Sequence, residues 1–245
     1  MECLTVLAGV DKTGEKESYE KIEMHLSEII AIVGNTGSGK SRFIKDIEQL
    51  ANEDTVSKRK ILVDNEAICK NERMDYRNIA HLGQNMRFVL DITVDEFVSL
   101  HNQCRDKNVG VVEVLTMANS ITHEPIDRHT QLNLLSGGQT RALMIADIAL
   151  ICDSPIVLVD EIENAGVDKI RALECLKVSG KLILIVTHDT HTALMGDKRI
   201  IMKNGGVYKV LSRTAEEKKL YEKMSREYQK QAEMQMLLRK GESIG

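Results

Sequence analysis

Eight residues carry the plainest chemistry in the chain. Gly34-Asn35-Thr36-Gly37-Ser38-Gly39-Lys40-Ser41 fits G-x-x-x-x-G-K-[ST] at every fixed position. Glycines in such a loop let backbone N–H groups turn inward and crowd a phosphate without Cβ clashes. A helix starting at the same point adds partial positive charge. In that arrangement Lys40 reaches the outer phosphates of a nucleotide and the Ser41 hydroxyl sits on Mg²⁺.

Two further stretches suit the same chemistry. Ile156-Val157-Leu158-Val159-Asp160-Glu161 is four apolar residues followed by two carboxylates. A buried strand would deliver Asp160 at its C-terminal edge beside the P-loop, to hold Mg²⁺ through a water. Glu161 would polarise the attacking water. Strands often end in acids, so this pair takes its meaning from the P-loop before it. Leu135-Ser136-Gly137-Gly138-Gln139 places a hydroxyl and two glycines at the start of a helix. That is a second anion cradle. One nucleotide does not need two cradles in one subunit, so Ser136, Gly137, Gly138 and Gln139 are expected to close on ATP held by another copy.

The elements that must position these residues follow from periodicity. Ile29 to Val33 is a short apolar strand leading into the Gly-rich loop, and Arg42 to Leu50 is the helix after it. Pro155 to Asp160 and Lys181 to Thr187 are apolar on both faces, as strands in the middle of a parallel sheet are. Cys3 to Val10 reads as a strand. Tyr19 to Leu26 alternates, with Ile22, Met24 and Leu26 on one face, which predicts an antiparallel, half-exposed strand. Lys60 to Asp64 and Asn78 to Gln84 are further short strands. Asn204-Gly205-Gly206 predicts a hairpin turn between Arg199–Met202 and Val207–Leu211.

Between residues 88 and 140 the pattern turns helical. Thr93 can cap one helix and Val111 begins another. From Thr214 to Lys240 the chain reads as one long polar helix with a broken stripe of Leu220, Met224, Tyr228, Met234 and Leu237. It is either a solvated helix packed lightly on its own domain or a docking or dimer-contact helix. The expected organisation is an α/β P-loop domain over residues 1–212, carrying an antiparallel β subdomain and a helical insert at about 88–140, followed by a helical extension over 213–245.

The chain has 245 residues, 42% of them hydrophobic, enough for one large core or a core with an insert. A net charge of −4 argues against general attraction to nucleic acid or anionic membranes. No apolar run reaches 18 residues, and the N-terminus does not read as a signal peptide. The five cysteines are scattered without a C-x-x-C pair and read as reduced thiols of a cytoplasmic protein.

From Leu4 to about Leu211 the chain resembles the ATP-binding cassette (ABC) ATPase family. The likeness rests on the P-loop, Leu135 to Gln139, Asp160-Glu161, Gln84 and His188, in the family's order and approximate spacing. The resemblance implies an α/β P-loop fold of ABC type and hydrolysis of ATP with Mg²⁺. It implies that Gln84 contacts Mg²⁺ and the attacking water and relays nucleotide state to a partner. His188, in Val186-Thr187-His188-Asp189, is similar to the family's switch histidine, which contacts the γ-phosphate. Asp168 falls at the family's D-loop aspartate. The helical insert looks like the family's helical subdomain.

Two departures accompany the resemblance. Glu161-Ile162-Glu163-Asn164-Ala165-Gly166-Val167-Asp168 replaces a Pro-containing link and is one residue longer, a form closer to soluble ABC proteins such as the iron–sulfur assembly ATPase. The region around Asp11-Lys12-Thr13 lacks the aromatic that the family stacks on adenine. The implied partners are a homo- or heterodimer formed through ATP and either a separate transmembrane subunit or a soluble protein client. The implied location is cytoplasmic, at the inner face of a membrane if the partner is membrane-embedded. DNA-repair roles are disfavoured, because there is no basic stripe or coiled-coil insertion. A switch without turnover is disfavoured by Glu161 and His188.

Overall fold

The computed structural model describes residues 1–69, 71–73, 79–83, 86–162, 166–239 and 241–243. Its elements are β1 (Cys3–Leu7), β2 (Lys21–His25), β3 (Ile29–Val33), α1 (Lys40–Glu48), β4 (Lys60–Val63), β5 (Ile79–Leu82), α2 (Val94–Arg105), α3 (Val111–Ile121), α4 (Gly137–Leu150), β6 (Ile156–Asp160), α5 (Lys169–Val178), β7 (Leu182–Val186), α6 (Thr190–Met195), β8 (Lys198–Lys203), β9 (Gly206–Ser212) and α7 (Ala215–Arg239). A single 3₁₀ turn, Leu132–Leu134, precedes α4.

The strands form two sheets. One has the order β2-β1-β4 and the other β5-β6-β7-β3-β8-β9. The first is antiparallel, with Leu4 opposite Met24 on one side and Val63 on the other. The alternation expected of β2 holds: Ile22 and Met24 are buried while Lys21, Glu23 and His25 face water. In the second sheet β5, β6, β7, β3 and β8 run parallel, and β9 returns antiparallel to β8.

Period two along the central strands divides the core. Ile29, Ala31, Val157, Val159, Ile183 and Ile185 face α2–α5, and their neighbours Ile30, Ile32, Ile156, Leu158, Leu182 and Leu184 face α1 and the antiparallel sheet. Both faces are covered, which is why β6 and β7 read as unbroken apolar runs.

Helix starts are specified locally. Thr93 caps α2 with a full capping box: its hydroxyl accepts from the Glu96 N–H at 3.3 Å while the Glu96 carboxylate accepts from the Thr93 N–H at 2.7 Å. A cap of this kind is worth about 1 kcal/mol. α1 begins at Lys40, two residues earlier than the apolar pattern suggests, because the end of the Gly-rich loop is itself the first turn. β1 ends at Leu7, short of the expected Val10, and Ala8 bonds the Glu20 carbonyl instead.

Candidate active site

Parallel strands present their carboxyl ends on one edge, where a doubly covered sheet builds its ligand site. Val33 leads into the Gly-rich loop, Asp160 ends β6, and Val186 of β7, paired with both Ile32 and Asp160, leads to Thr187-His188. Sheet register thus brings the P-loop, Asp160, Glu161 and His188 to one place. Gln84, just past β5, lies outside the described residues.

The P-loop has the geometry of an anion cradle. Gly34 and Gly39 sit at φ +154° and +106°. A Cβ on Gly34 would lie 2.5 Å from the Met202 carbonyl, and one on Gly39 would lie 2.7 Å from the Gly205 Cα, so both positions require glycine. The Lys40 ammonium curls back onto the loop, donating to the Gly34 carbonyl at 2.7 Å and the Asn35 carbonyl at 3.2 Å. Burial holds it below the ordinary lysine pKa, while the Glu161 and Asp160 carboxylates pull the other way. The Ser38 hydroxyl is buried with no hydrogen-bond partner. An unsatisfied hydroxyl and a partly desolvated cation in one glycine loop suit a phosphate.

Behind the loop stands a buried ionic network with no local signal in the sequence. Arg59 is fully buried. Its guanidinium donates to Glu17 Oε1 at 2.6 Å, to Asp46 Oδ2 at 2.7 Å and to the Gly205 carbonyl at 3.0 Å. The Gly205 N–H in turn donates to the Ser38 carbonyl at 2.8 Å. One side chain therefore links the antiparallel sheet, α1 and the β8–β9 turn to the phosphate loop. Lys12 lies at the rim, its ammonium 2.7 Å from the Gly37 carbonyl, so a cation occupies the region where the family resemblance would place an adenine-stacking aromatic. Tyr19 packs instead against the core beneath the antiparallel sheet.

Glu161 follows β6 in the left-handed region at φ +47°, and its N–H donates to the Val186 carbonyl. This bend turns the carboxylate toward the next strand, where Glu161 Oε1 lies 3.7 Å from His188 Nε2. An ordinary strand continuation would alternate it away. Arg141 of α4 donates to the Asp160 carbonyl at 2.7 Å, coupling the helix of the second cradle to the end of β6.

The second glycine stretch does open a helix, and it lines a different cavity. Ser136 is the N-cap of α4, with a capping box to Gln139. Its hydroxyl donates to Glu124 Oε2 at 3.0 Å, and the Gln139 amide donates to the Pro125 carbonyl at 3.0 Å. The adjoining cavity, about 320 Å³, is lined by Thr122, His123, Glu124, Ser136, Gly138 and Gly166. The cavity at the P-loop, about 390 Å³, is lined by Val33, Gly34, Asn35, Thr187, His188 and neighbours on α6 and β8. Asp168 belongs to neither wall: it caps α5, accepting from the Ile170 and Arg171 N–H groups.

A family model described as ABC transporter matches residues 20–164. The chain is 49% identical over 227 residues to an uncharacterised ABC transporter ATP-binding protein of Methanocaldococcus jannaschii, covering 91% of this chain and 87% of that protein. It is 29% identical over 194 residues to the macrolide export ATP-binding/permease protein MacB of Chlorobium phaeobacteroides, covering 73% of this chain and 28% of that longer protein. Among solved structures, cbiO1 of Clostridium perfringens superposes with a TM-score of 0.64 at 20% identity, over 98% of this chain and 96% of that one. A dimeric ATP-binding cassette in a post-hydrolysis state gives 0.61 at 24% identity, over 86% and 99%. Fold and site define a P-loop ATPase of cassette type, and the chain belongs to the ABC transporter family as its ATP-hydrolysing part.

Proposed function

We propose that this chain is the ATP-binding subunit of a membrane transporter, closing head to tail with a second cassette around ATP and hydrolysing it. The division of the site carries this reading. P-loop, Asp160, Glu161 and His188 share one sheet edge, whereas the Ser136 cradle lines a separate cavity of the same chain. Two copies supply each other's missing half.

The residues fit a hard cation beside the phosphates. Ser41, exposed in the first turn of α1, and Asp160, half-buried at the end of β6, are oxygen donors, and Gln84 is expected to join them. Among the described residues no cluster of three His, Cys, Asp or Glu side chains could hold a metal without help. Mg²⁺ takes few protein ligands and completes its shell with phosphate and water. Such an ion would neutralise charge on the outer phosphates.

In the closed dimer Lys40 and the loop N–H groups, from Gly34, Asn35, Thr36, Gly37, Ser38 and Gly39 onward, hold the phosphates. Ser136, Gly137, Gly138 and Gln139 of the partner subunit face the γ-phosphate. Glu161 accepts a hydrogen bond from the attacking water, and His188 orients the γ-phosphate. The water oxygen bonds to phosphorus as the bond to the bridging oxygen breaks; that oxygen leaves with the electron pair as ADP, and the water's protons depart with inorganic phosphate or to solvent. Asp168, capping α5, holds the first turn of that helix in place.

The curated relatives include lipoprotein-releasing and energy-coupling-factor transporter ATP-binding proteins, and no helix among the described residues is long and apolar enough to cross a membrane. On the likeness to those ATP-binding proteins, a separate membrane subunit is the partner proposed. Met86, Val89 and Leu90 stand exposed just past Gln84, Val89 at 98%. Exposed apolar side chains at these positions are a fitting place for that subunit. The proposed location is the cytoplasmic face of a membrane.

Glu161→Gln tests both halves. Turnover is expected to fall by about 10²–10⁴-fold with ATP binding retained, and ATP should drive a stable dimer in light scattering. Normal turnover would remove Glu161 from the mechanism. Affinity-purified from its native cells with ATP, the variant should retain a polytopic membrane protein. A soluble client with an empty membrane fraction would replace transport with protein remodelling or cofactor assembly.

A further inference from the structure

The sequence marks His188 but not what holds it. Asp189, the next residue, caps α6, accepting from the Thr192 N–H at 2.8 Å and hydroxyl at 2.6 Å, and its own N–H donates to the Thr187 hydroxyl at 3.0 Å. The same carboxylate takes the ammonium of Lys169 at 2.6 Å. Lys169 is the first residue of α5, adjoining Asp168 at the end of the segment that follows Glu161. Its side chain is about nine-tenths buried, and its ammonium lies 4.8 Å above the ring of Tyr228 on α7.

That ring belongs to a stacked group. His191 of α6 lies between Tyr221 and Tyr228, with ring centroids 5.0 and 5.4 Å apart and planes within 16° of parallel. Its Nε2 is 2.8 Å from the Ser225 hydroxyl. Tyr221, Ser225 and Tyr228 are spaced four and three residues apart and so share one face of α7. Arg199 of β8 pairs with Glu217 at the start of the same helix.

We infer that Lys169 is a positioning residue for hydrolysis: it ties the loop carrying His188 to the start of α5 and, through Tyr228, to the docked C-terminal helix. The pieces fit no purely local role. A cap for α6 needs only Asp189, and an anchor for α7 needs only the His191 stack. Lys169 joins the two, through the residue that directly follows His188. A buried ammonium with a carboxylate on one side and a ring face on the other has few other positions to take, so it fixes the distance between the three elements. Movement of α7, by a partner or by truncation, reaches the switch histidine by this route.

The inference rests on His188 acting in hydrolysis, so the experiment separates the two ideas. Full-length Lys169→Met, Lys169→Arg, Tyr228→Leu, His188→Ala and the Lys169→Met/His188→Ala double variant are compared by kcat, KM for ATP and thermal unfolding. Lys169→Met is expected to lower kcat by about 10- to 100-fold, as a displacement near 1 Å does, with KM changed less than about two-fold. Lys169→Arg should restore most of kcat, and Tyr228→Leu should move kcat in the same direction by less. In the double variant the two losses should be far from additive. Additive losses, or wild-type kcat in a folded Lys169→Met with His188→Ala inactive, overturn the inference and leave the function intact. Wild-type kcat in His188→Ala overturns the reading of that residue itself. If Lys169→Met does not fold, Tyr228→Leu decides: a wild-type kcat there overturns the inference, and a lowered kcat at unchanged KM supports it.

Discussion

The chain carries two anion cradles on one physical plan, a helix N-terminus with glycines and a hydroxyl, and it supports them in opposite ways. The P-loop rests on the interior. Arg59, Glu17 and Asp46 are buried beneath it, and Gly205 is pressed against Gly39. The Ser136 cradle rests on the surface, held by exposed side-chain bonds to Glu124 and Pro125. In the first, the cradle's own cation is turned inward onto loop carbonyls. In the second, a carboxylate stands against the hydroxyl. The contrast teaches that one half of the site is preset by folding, whereas the other, on the proposed two-copy mechanism, would be completed by what arrives from a second copy.

The sharpest test of preset against completed is stability. Arg59→Met removes one member of the buried network and leaves Glu17 and Asp46 desolvated without their counter-charge. Breaking a buried pair in this way costs about 3–5 kcal/mol. Urea unfolding should show a midpoint lowered by that amount of stability, with a slope near wild type. Glu124→Gln at the other cradle should stay within about 0.5 kcal/mol, as surface changes do. Equal losses at the two sites would erase the distinction.

Nucleotide binding by the isolated chain comes next. Lys40→Ala removes a charge-assisted contact worth about 1.5–3 kcal/mol, so ATP affinity should weaken by about 10- to 150-fold in calorimetry. Ser136→Ala should leave that affinity within about two-fold while abolishing the ATP-driven dimer of the Glu161→Gln protein. Its loss as an N-cap is expected to cost about 1 kcal/mol of stability. Comparable weakening of monomer binding in both variants would place Ser136 in its own chain's site and sink the two-copy mechanism.

Much of the P-loop half was legible in the sequence because its information is local. Strand, loop and helix are contiguous from Ile29 to Glu48, and the apolar runs of β6 and β7 announce a parallel sheet by themselves. The unread part is where the meaning of a residue depends on distant partners. Arg59 is one arginine in a polar connection until Glu17, Asp46 and Gly205 converge on it. The short α6 is too brief for a periodic pattern, and its His191 stands in no motif. The stripe expected on α7 included Leu220, which is 48% exposed. The packed face contains Tyr221, Ser225 and Tyr228, because ring stacking rather than aliphatic burial holds the helix. The exposed bond between Glu124 and Ser136 spans a turn no pattern marks.

Glu124 supplies the smallest effect and the finest test. Its carboxylate accepts from the Ser136 hydroxyl, which on the proposed mechanism faces the γ-phosphate of another copy. Two unit charges at about 4 Å repel by roughly 1 kcal/mol in water, which is about five-fold in an equilibrium. Glu124→Gln keeps an acceptor for Ser136 and removes the charge. The ATP concentration giving half-maximal dimer of the Glu161→Gln protein should therefore fall by about two- to five-fold at low salt, less at high salt, where the Debye length shortens to a few ångström. The salt dependence identifies the cause, since a change in packing would persist at any ionic strength. An unchanged midpoint at low salt would mean that Glu124 leaves the cradle without resistance as the dimer closes. The surface half would then be as preset for the phosphate as the interior half.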